Sequence, residues 1–280
     1  MTRLALGDVL PAVNKLPSLP TVVMELLASM DQEDVNIDVL AAKITQDQAL
    51  TAKTLRLANS SFYGMAHQIT TIAEAIAILG FRTVRSVATT AALIGTFANQ
   101  APGRFGFAPF WRHSIAAAVC ARELATHLKL NAEQAYTVGL LHDIGRLVLV
   151  TQFAREFEGV MTHRAQQDCT LAQAEVAVLG IDHTMVGQAL TQHWKFPLAM
   201  QQAVAGHHAQ PVPVGQPLTL VIQVADALAH ALDLSGDEDD LVPSVPDAVW
   251  QQLGLNDATL LSIMANSEKQ FEGASLVLNA

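Results

Sequence analysis

A run of apolar residues from Gly139 to Val150 is interrupted by an adjacent imidazole and carboxylate, His142 and Asp143. An apolar run of this length belongs in a protein core. Burying the two polar side chains there without partners would cost on the order of several kcal/mol. A metal ion that both side chains coordinate is one of the few ways to compensate them together. The stretch therefore predicts a buried metal site.

The composition fits a chain with a large core. Hydrophobic residues make up 51% of the 280 residues and charged residues 15%, which excludes overall disorder. No apolar run approaches the roughly 18 residues that indicate a membrane span. The N-terminus, Met1–Asp8, carries an acid too early for a signal peptide. We therefore expect a cytoplasmic protein without a membrane partner. The length corresponds to one large domain or two modest ones.

Cysteine usage and charge exclude other classes of function. The two cysteines, Cys120 and Cys169, lie far apart, so neither a disulfide framework nor a thiolate zinc site is expected. The net charge of −10 opposes electrostatic attraction to nucleic acid over the whole surface.

Hydrophobic spacing of three and four residues runs through the chain, and alternating strand patterns bounded by tight turns are missing. The predicted fold class is all-α. Thr71 with Glu74, and Thr170 with Gln173, are candidate capping boxes, and Gly80 is expected to end a helix in the left-handed conformation. The expected helices include Ile72–Leu79, Phe81–Phe97, Phe110–Leu128, Ala132–Val150, Met185–Trp194, Leu198–His208, Leu218–Leu232 and Ala258–Phe271.

A segment rich in helix breakers, Asn99–Gly106, divides the chain. We place the boundary between an N-terminal helical subdomain, residues 1–102, and a second helical domain, residues 103–280. Two predicted helices meet across the Gly80 turn, and Lys53, Arg56, Arg82 and Arg85 lie nearby. A DNA-reading helix pair would share this arrangement. Ordinary helix packing with a solvated basic edge explains it better, because a reader needs a basic face shaped for a groove.

Several other histidines and an aspartate also lie in apolar helical stretches, as His142 and Asp143 do. Asp226 lies in the apolar run Leu220–Ala229, where an unpaired carboxylate would be expensive. Imidazoles and carboxylates from separate helices can converge inside a bundle and hold one or two divalent metals. The candidate metal ligands are His113, His142, Asp143, His183, His207, His208 and Asp226.

The order of these residues resembles the ligand pattern of the HD superfamily of metal-dependent phosphohydrolases. The similarity to the HDOD family is narrower and runs from about Leu16 to about Leu232. The motifs that carry it are Leu16–Pro20, Leu55–Gly64, Ala75–Gly80, Trp111–Ser114 and Gly139–Gly145. The resemblance implies an HD-like helical bundle with a helical N-terminal subdomain.

HDOD domains are regarded as signalling or regulatory modules related to the HD-GYP cyclic-di-GMP phosphodiesterases, and many have lost the metal ligands. In this chain every ligand position that can be matched is filled. The chain also departs from HD-GYP enzymes. It lacks a Gly-Tyr-Pro sequence after His208, has Arg146 where those enzymes usually carry lysine, and has Pro109 in place of a metal-binding glutamate. These differences speak against cyclic-di-GMP hydrolysis and leave metal binding intact.

The residues define a mechanism if the site is catalytic. One metal would be held by His113, His142, Asp143 and Asp226, and Asp143 would bridge to a second metal held by the three remaining histidines. Arg146, one turn after Asp143, is a candidate phosphate clamp, with an ion pair as the alternative. Imidazole and carboxylate ligands suit iron, manganese, cobalt, nickel or zinc better than calcium. We expect His230 to be a surface or packing residue outside the site.

Two classes of function remain open. The first is a regulatory module whose metal site is structural or senses a ligand, and whose N-terminal helices and Phe62–Tyr63 loop contact a signalling protein. The second is a metal-dependent phosphohydrolase acting on a nucleotide or another phosphate-containing small molecule, with Asp143 and Arg146 as its catalytic residues. The complete ligand set favours the enzyme, whereas the family resemblance and the missing accessory motifs favour the regulator. On the sequence, the regulatory module is the function we expect, with the phosphohydrolase as the alternative.

Overall fold

The computed structural model describes residues 3–13, 19–29, 36–59, 67–97, 105–210, 215–237 and 241–279. None of these residues lies in a β-strand, so the all-α prediction is confirmed. The helices are α1 (Leu6–Val13), α2 (Thr21–Ala28), α3 (Ile37–Gln46), α4 (Gln48–Ala58), α5 (Ile72–Leu79), α6 (Phe81–Phe97), α7 (Phe107–His127), α8 (Ala132–Leu141), α9 (Ile144–Gln152), α10 (Ala154–Gln167), α11 (Leu171–Leu179), α12 (His183–His193), α13 (Leu198–Gly206), α14 (Pro217–Ala231), α15 (Asp247–Leu253) and α16 (Asp257–Ala274), followed by a 3-10 helix (Ser275–Asn279).

The long helix α7 forms the centre of the fold. It is buried along most of its length and packs against α8, α14 and α16. The approach of α8 is close because a Cβ atom on Gly139 would lie 2.6 Å from the Cα atom of Ala118. Only a glycine tolerates that separation, so Gly139 sets how closely the helix that precedes His142 can pack on α7.

The segment Ala132–Val150, expected to be helical, is divided into two helices at the predicted site. Helix α8 ends at Leu141 and α9 begins at Ile144, leaving His142 and Asp143 at the junction. The His142 ring bonds back to the Gly139 carbonyl oxygen, with 2.7 Å between Nδ1 and O. This side-chain bond satisfies a carbonyl in the last turn of α8, as helix ends require.

Helix α9 lies against α12 at a second close approach. A Cβ atom on Gly145 would lie 2.0 Å from the His183 carbonyl oxygen. Since Gly145 follows Asp143 by two residues, the contact brings the α8–α9 junction next to the start of α12. The packing thereby places Asp143 beside His183.

The ends of α5 agree only in part with the prediction. Its bounds are as predicted, and the Thr71 side chain accepts a hydrogen bond from Glu74 N. The Glu74 carboxylate instead accepts from Thr70 N, at 2.8 Å, so one half of the capping box is present. Gly80 has φ 83° and ψ 148°, which is not left-handed helical geometry, because the chain turns directly into α6. The box of Thr170 and Gln173 is complete.

The N-terminal helices α2–α6 pack mainly among themselves, and α6 joins them to α8. Arg85 on α6 pairs with Glu133 on α8 at 3.4 Å between Nη2 and Oε2, and Ser86 donates to the same carboxylate at 3.2 Å. Arg85 is buried, so it contributes no charge to a DNA-reading surface. Helix α1 packs instead against α9 and α12, the helices that carry Arg146 and His183.

Some sequence predictions fall outside the described residues. They are the loop with Phe62 and Tyr63, parts of the motifs Leu16–Pro20 and Leu55–Gly64, and most of the breaker-rich segment with the domain boundary. Within the described parts of the chain, no helix combines the length and apolar character needed to cross a membrane.

Candidate metal centre

The fold brings the seven predicted metal ligands together inside the α7–α14 bundle. They come from separate elements and meet around the α8–α9 junction. His113 lies on α7, His142 and Asp143 at the junction, His183 at the first position of α12, His207 and His208 directly after α13, and Asp226 on α14.

One group of ligand atoms surrounds the Asp226 Oδ1 atom. His113 Nε2 lies 3.1 Å from it and His142 Nε2 lies 3.4 Å from it. The two Nε2 atoms are 3.2 Å apart, and Asp143 Oδ2 is 3.5 Å from His142 Nε2. Ligand atoms that each lie about 2.0–2.2 Å from one cation are separated by roughly 3–3.5 Å. This group therefore has the spacing of a single metal site.

A second group surrounds Asp143 Oδ1. His183 Nε2 lies 3.1 Å from this oxygen and His207 Nε2 3.5 Å, and the two nitrogens are 3.3 Å apart. His208 joins the group, in which all ligand atoms lie within 4.8 Å of one another. Because Oδ2 belongs to the first group and Oδ1 to the second, Asp143 has the position of a bridging carboxylate.

Hydrogen bonds on the far sides of the rings fix which nitrogen carries a proton. His142 Nδ1 lies 2.7 Å from the Gly139 carbonyl oxygen, and His207 Nδ1 lies 2.7 Å from that of Val204. A carbonyl oxygen only accepts, so each Nδ1 is the donor. In the neutral rings Nε2 is then a bare lone pair turned towards carboxylate oxygens. The lone pair and the carboxylate oxygens repel each other, and a cation between them would be coordinated by both. A hydrogen bond from the other ring nitrogen to a carbonyl oxygen is typical of metal-bound histidine.

The buried carboxylate oxygens point to the same requirement. Both Asp143 oxygens and Asp226 Oδ2 lack a hydrogen bond of acceptable geometry within the described structure, and the ionic contacts of Asp143 with Arg146 and His183 are its nearest compensation. The two side chains are 1% and 2% exposed, respectively. Buried ionised carboxylates are stable only when paired or coordinated to a metal. The residues present therefore fit a divalent cation.

The electrostatics differ between the two groups. Burial lowers the pKa of His113 to about 4, against an opposing hydrogen bond to Asp226. Burial also disfavours charge on His183, but the carboxylates of Glu175 and Asp143 outweigh it and raise the pKa of His183 to about 10. Without metal, His113 is thus neutral at pH 7, whereas His183 holds an extra proton between two carboxylates.

Glu175 on α11 was missed by the sequence analysis. Its Oε2 lies 2.6 Å from His183 Nδ1 and also accepts from His183 N at 2.8 Å. The side chain is fully buried. Glu175 thus orients the ring, with Nε2 towards Asp143. A buried acid in the apolar face of a helix was the available signal, but its partner is eight residues away across a turn.

His230 was expected outside the site and lies at its edge. Its Nε2 atom is 3.3 Å from Asp226 Oδ1, and its ring lies against that of His113 with centroids 4.3 Å apart and planes tilted by 35°. His113, Asp226 and His230 form a further group with ligand spacing. The four-residue spacing between Asp226 and His230 puts both on one face of α14, a signal that the sequence contained.

Arg146 connects the centre to a cleft. Its Nη1 lies 2.8 Å from Asp143 Oδ2, and its Nε makes no hydrogen bond within the described structure. The cleft has a volume of about 1210 Å³. Its walls include His113, His207, His208 and Asp226 from the centre, and Phe105, Phe110 and Phe157 from the apolar side. A ligand in the cleft therefore reaches the candidate metal ligands directly.

Comparison with known proteins places the chain in a family. The model of the HDOD domain matches residues 16–210. An HDOD domain protein of unknown function from Geobacter sulfurreducens is 26% identical and superposes with a TM-score of 0.76, covering 98% of both chains. A Shewanella amazonensis structure named "Putative phosphohydrolase" is 26% identical, with a TM-score of 0.73 over 96% of this chain and 97% of that one.

Among curated sequences, an uncharacterized protein from Treponema pallidum is 24% identical over 84% of this chain. The chain spans 46% of that relative's length, which is less than half. The all-helical structure and the family match over residues 16–210 both indicate the same family. The protein belongs to the HDOD domain family.

Proposed function

We propose that the protein is a metal-dependent phosphohydrolase acting on a nucleotide or another phosphoester. The observation that carries this proposal is the position of Asp143. Its two oxygens belong to two separate groups of ligand atoms, and it lies beside an arginine at the wall of an open cleft. The structure from Shewanella amazonensis named "Putative phosphohydrolase" supports it as a similar protein of the same fold.

The ligand set favours transition-metal cations. His113, His142, Asp143 and Asp226 would hold one ion, and Asp143, His183, His207 and His208 a second. Imidazole and carboxylate ligands suit iron, manganese, cobalt, nickel or zinc. When bound, such ions supply hydroxide from water at neutral pH and neutralise charge on a phosphoryl oxygen.

The protein's own residues supply orientation. The Arg146 guanidinium is a planar fork of five donors, and one edge of it is engaged by Asp143. Arg146 also lines the cleft, so the exposed part of its guanidinium can meet a phosphoester oxygen there. Arg146 would thus bind the phosphoryl group next to the bridging carboxylate, a charge-assisted contact stronger than a neutral hydrogen bond.

A regulatory module is the second candidate, and a specific observation favours it. None of the described residues of α1–α6 lines the cleft. Hydrolysis in the cleft would therefore use none of the described side chains of α1–α6 directly, whereas a module that reports the state of the metal centre to a signalling protein would use these helices. The polar link of Arg85 and Ser86 to Glu133 provides a physical connection between the two halves.

One experiment separates the two functions. The protein purified without added metal is analysed for elements and assayed with a phosphomonoester and a phosphodiester of p-nitrophenol in manganese or ferrous iron. Bound metal with turnover that disappears in Asp143→Ala and falls strongly in Arg146→Ala supports the hydrolase. Bound metal without turnover rejects the hydrolase and favours the regulator. Absence of metal under all conditions contradicts both.

A further inference from the structure

Gln223 lies on the same helix as Asp226, three residues before it, and is buried. Its Nε2 atom donates to two backbone carbonyl oxygens, those of Gly206 at 2.9 Å and Ala209 at 3.2 Å. These two residues directly precede and follow the pair His207–His208. One amide therefore clamps the backbone on both sides of two candidate ligands.

The bonded carbonyls belong to a helix end. Gly206 is the last residue of α13, where carbonyl oxygens have no partner further along the helix. Its oxygen accepts from Ala209 N at 2.9 Å as well as from Gln223. The amide orientation is fixed, because a flipped side chain would set its oxygen against two carbonyl oxygens. In this orientation Gln223 Oε1 is buried and accepts no hydrogen bond within the described structure.

The clamp links the two groups of ligand atoms. Residues three apart on a helix share a face, so Gln223 and Asp226 belong to the same face of α14. Asp226 belongs to the first group, whereas the turn held by Gln223 carries His207 and His208 of the second. His208 Nδ1 lies 3.9 Å from Asp226 Oδ2. The bond from Gln223 thus fixes the second group relative to the first.

We propose that Gln223 is a positioning residue for the second cation of the centre. It acts through the backbone of the His207–His208 turn and touches no cation itself. The inference rests on the metal centre of the proposed function, but it does not require that the centre hydrolyse anything.

The test compares Gln223→Met with Gln201→Met. Methionine keeps the length of glutamine and removes the amide. Gln201 is a matched control, because its Nε2 also donates to a backbone carbonyl, that of Phe196 at 2.7 Å, at the opposite end of α13. Cobalt(II) is titrated into the metal-free proteins while calorimetry and visible absorption record stoichiometry, affinity and ligand field. Melting temperatures are measured in parallel.

We expect the parent protein and Gln201→Met to bind two ions. In Gln223→Met the affinity for the ion held by His183, His207 and His208 should fall about 10–100-fold, as it does when a ligand loses its outer-sphere partner. This holds whether that ion is the tighter or the weaker of the two. The ion at the His113–His142 group should be retained, identified by its absorption spectrum and by its loss in His113→Ala. Gln223→Glu should show the same loss of affinity, because glutamate keeps the shape of glutamine but lacks the amide donor.

Three results would overturn the inference. One is unchanged affinity for both ions in Gln223→Met. Another is equal weakening of both ions together with a lowered melting temperature, which would indicate a purely structural role. The third is a parent protein that binds fewer than two ions. If Gln223→Met does not fold, Gln223→Glu is titrated instead, and wild-type binding by that variant has the same meaning. Two bound ions without phosphoester turnover would reject the hydrolase alone.

Discussion

Glu175 Oε2 lies 2.6 Å from His183 Nδ1, in a place where both side chains are fully buried. The carboxylate binds the Nδ1 edge of the imidazole, and on the opposite edge Nε2 lies 3.1 Å from Asp143 Oδ1. This chain of carboxylate, imidazole and bridging carboxylate crosses α11, α12 and the α8–α9 junction. It is the arrangement by which proteins orient a metal-binding histidine and increase its basicity.

Glu175→Gln tests that relationship. The amide keeps the shape but loses the charge, so we expect metal affinity to fall about 10–100-fold with the fold retained. Competition with a chromophoric chelator measures the affinity. Glu268→Gln, on the exposed face of α16, is the control and should bind as the parent does. Equal affinities in all three proteins would show that Glu175 does not support the centre.

Metal binding should release a proton from His183. The neighbouring carboxylates raise the pKa of this residue to about 10 despite its burial, and a ligand nitrogen must be unprotonated. Affinity should therefore increase as pH rises from 6 to 9. Calorimetry in two buffers of different ionisation enthalpy measures the protons released. Buffer-independent heats would contradict the prediction.

The same raised pKa affects the metal-free protein in the opposite direction. A group that binds its proton more tightly when folded stabilises the native state fully below its unfolded pKa of about 6.5. That contribution is lost as pH rises from there through the folded pKa of about 10. Chemical denaturation of the metal-free protein should therefore show His183-dependent stability declining over this range. His183→Gln should flatten this part of the profile.

Replacing His142 and Asp143 together by alanine should abolish bound metal. Both groups of ligand atoms lose a member, since Asp143 has one oxygen in each. Elemental analysis of the purified variant measures the result. His127→Ala, which removes an exposed imidazole at the end of α7, is the control. Metal content equal to that of the parent would refute the assignment of the centre.

Gly145→Ala should destabilise the protein and weaken metal binding. The added Cβ would lie 2.0 Å from His183 O and 2.7 Å from Gly187 N, so α9 and α12 must separate. Overpacking of this kind costs about 1–3 kcal/mol or more. Denaturant unfolding and cobalt titration report the two effects. Gly7→Ala meets nothing within 4 Å and should leave both unchanged or slightly raise stability.

The two cysteines should differ sharply towards a thiol reagent at pH 8. Burial raises the pKa of Cys120 to about 12, and its side chain is inaccessible, whereas Cys169 is half-buried. Thiolate is the reactive form, so Cys169→Ser should react only at the rate of unfolding. Cys120→Ser should keep the fast phase. A fast reaction in Cys169→Ser would contradict the core position of Cys120.

The sequence by itself determined the helical class and, to within three residues, the bounds of seven of the helices: α5, α6, α7, α12, α13, α14 and α16. Thr170 and Gln173 form the predicted capping box of α11, because a cap depends on residues within one turn. It also supplied all seven candidate ligands, since a histidine or aspartate in an apolar helix demands compensation wherever that helix packs. The break between α8 and α9 escaped it, because the apolar pattern continues across His142 and Asp143.

Only the tertiary structure decided how the ligands are grouped and supported. The sequence could not show that the two oxygens of Asp143 belong to different groups, that Glu175 holds His183, or that Gln223 clamps the turn after α13. Each of these contacts joins elements whose relative position comes from close helix packing, as at Gly139 and Gly145. Hydrophobic burial drives helices together without direction, and side-chain shape at such contacts then fixes which polar atoms meet.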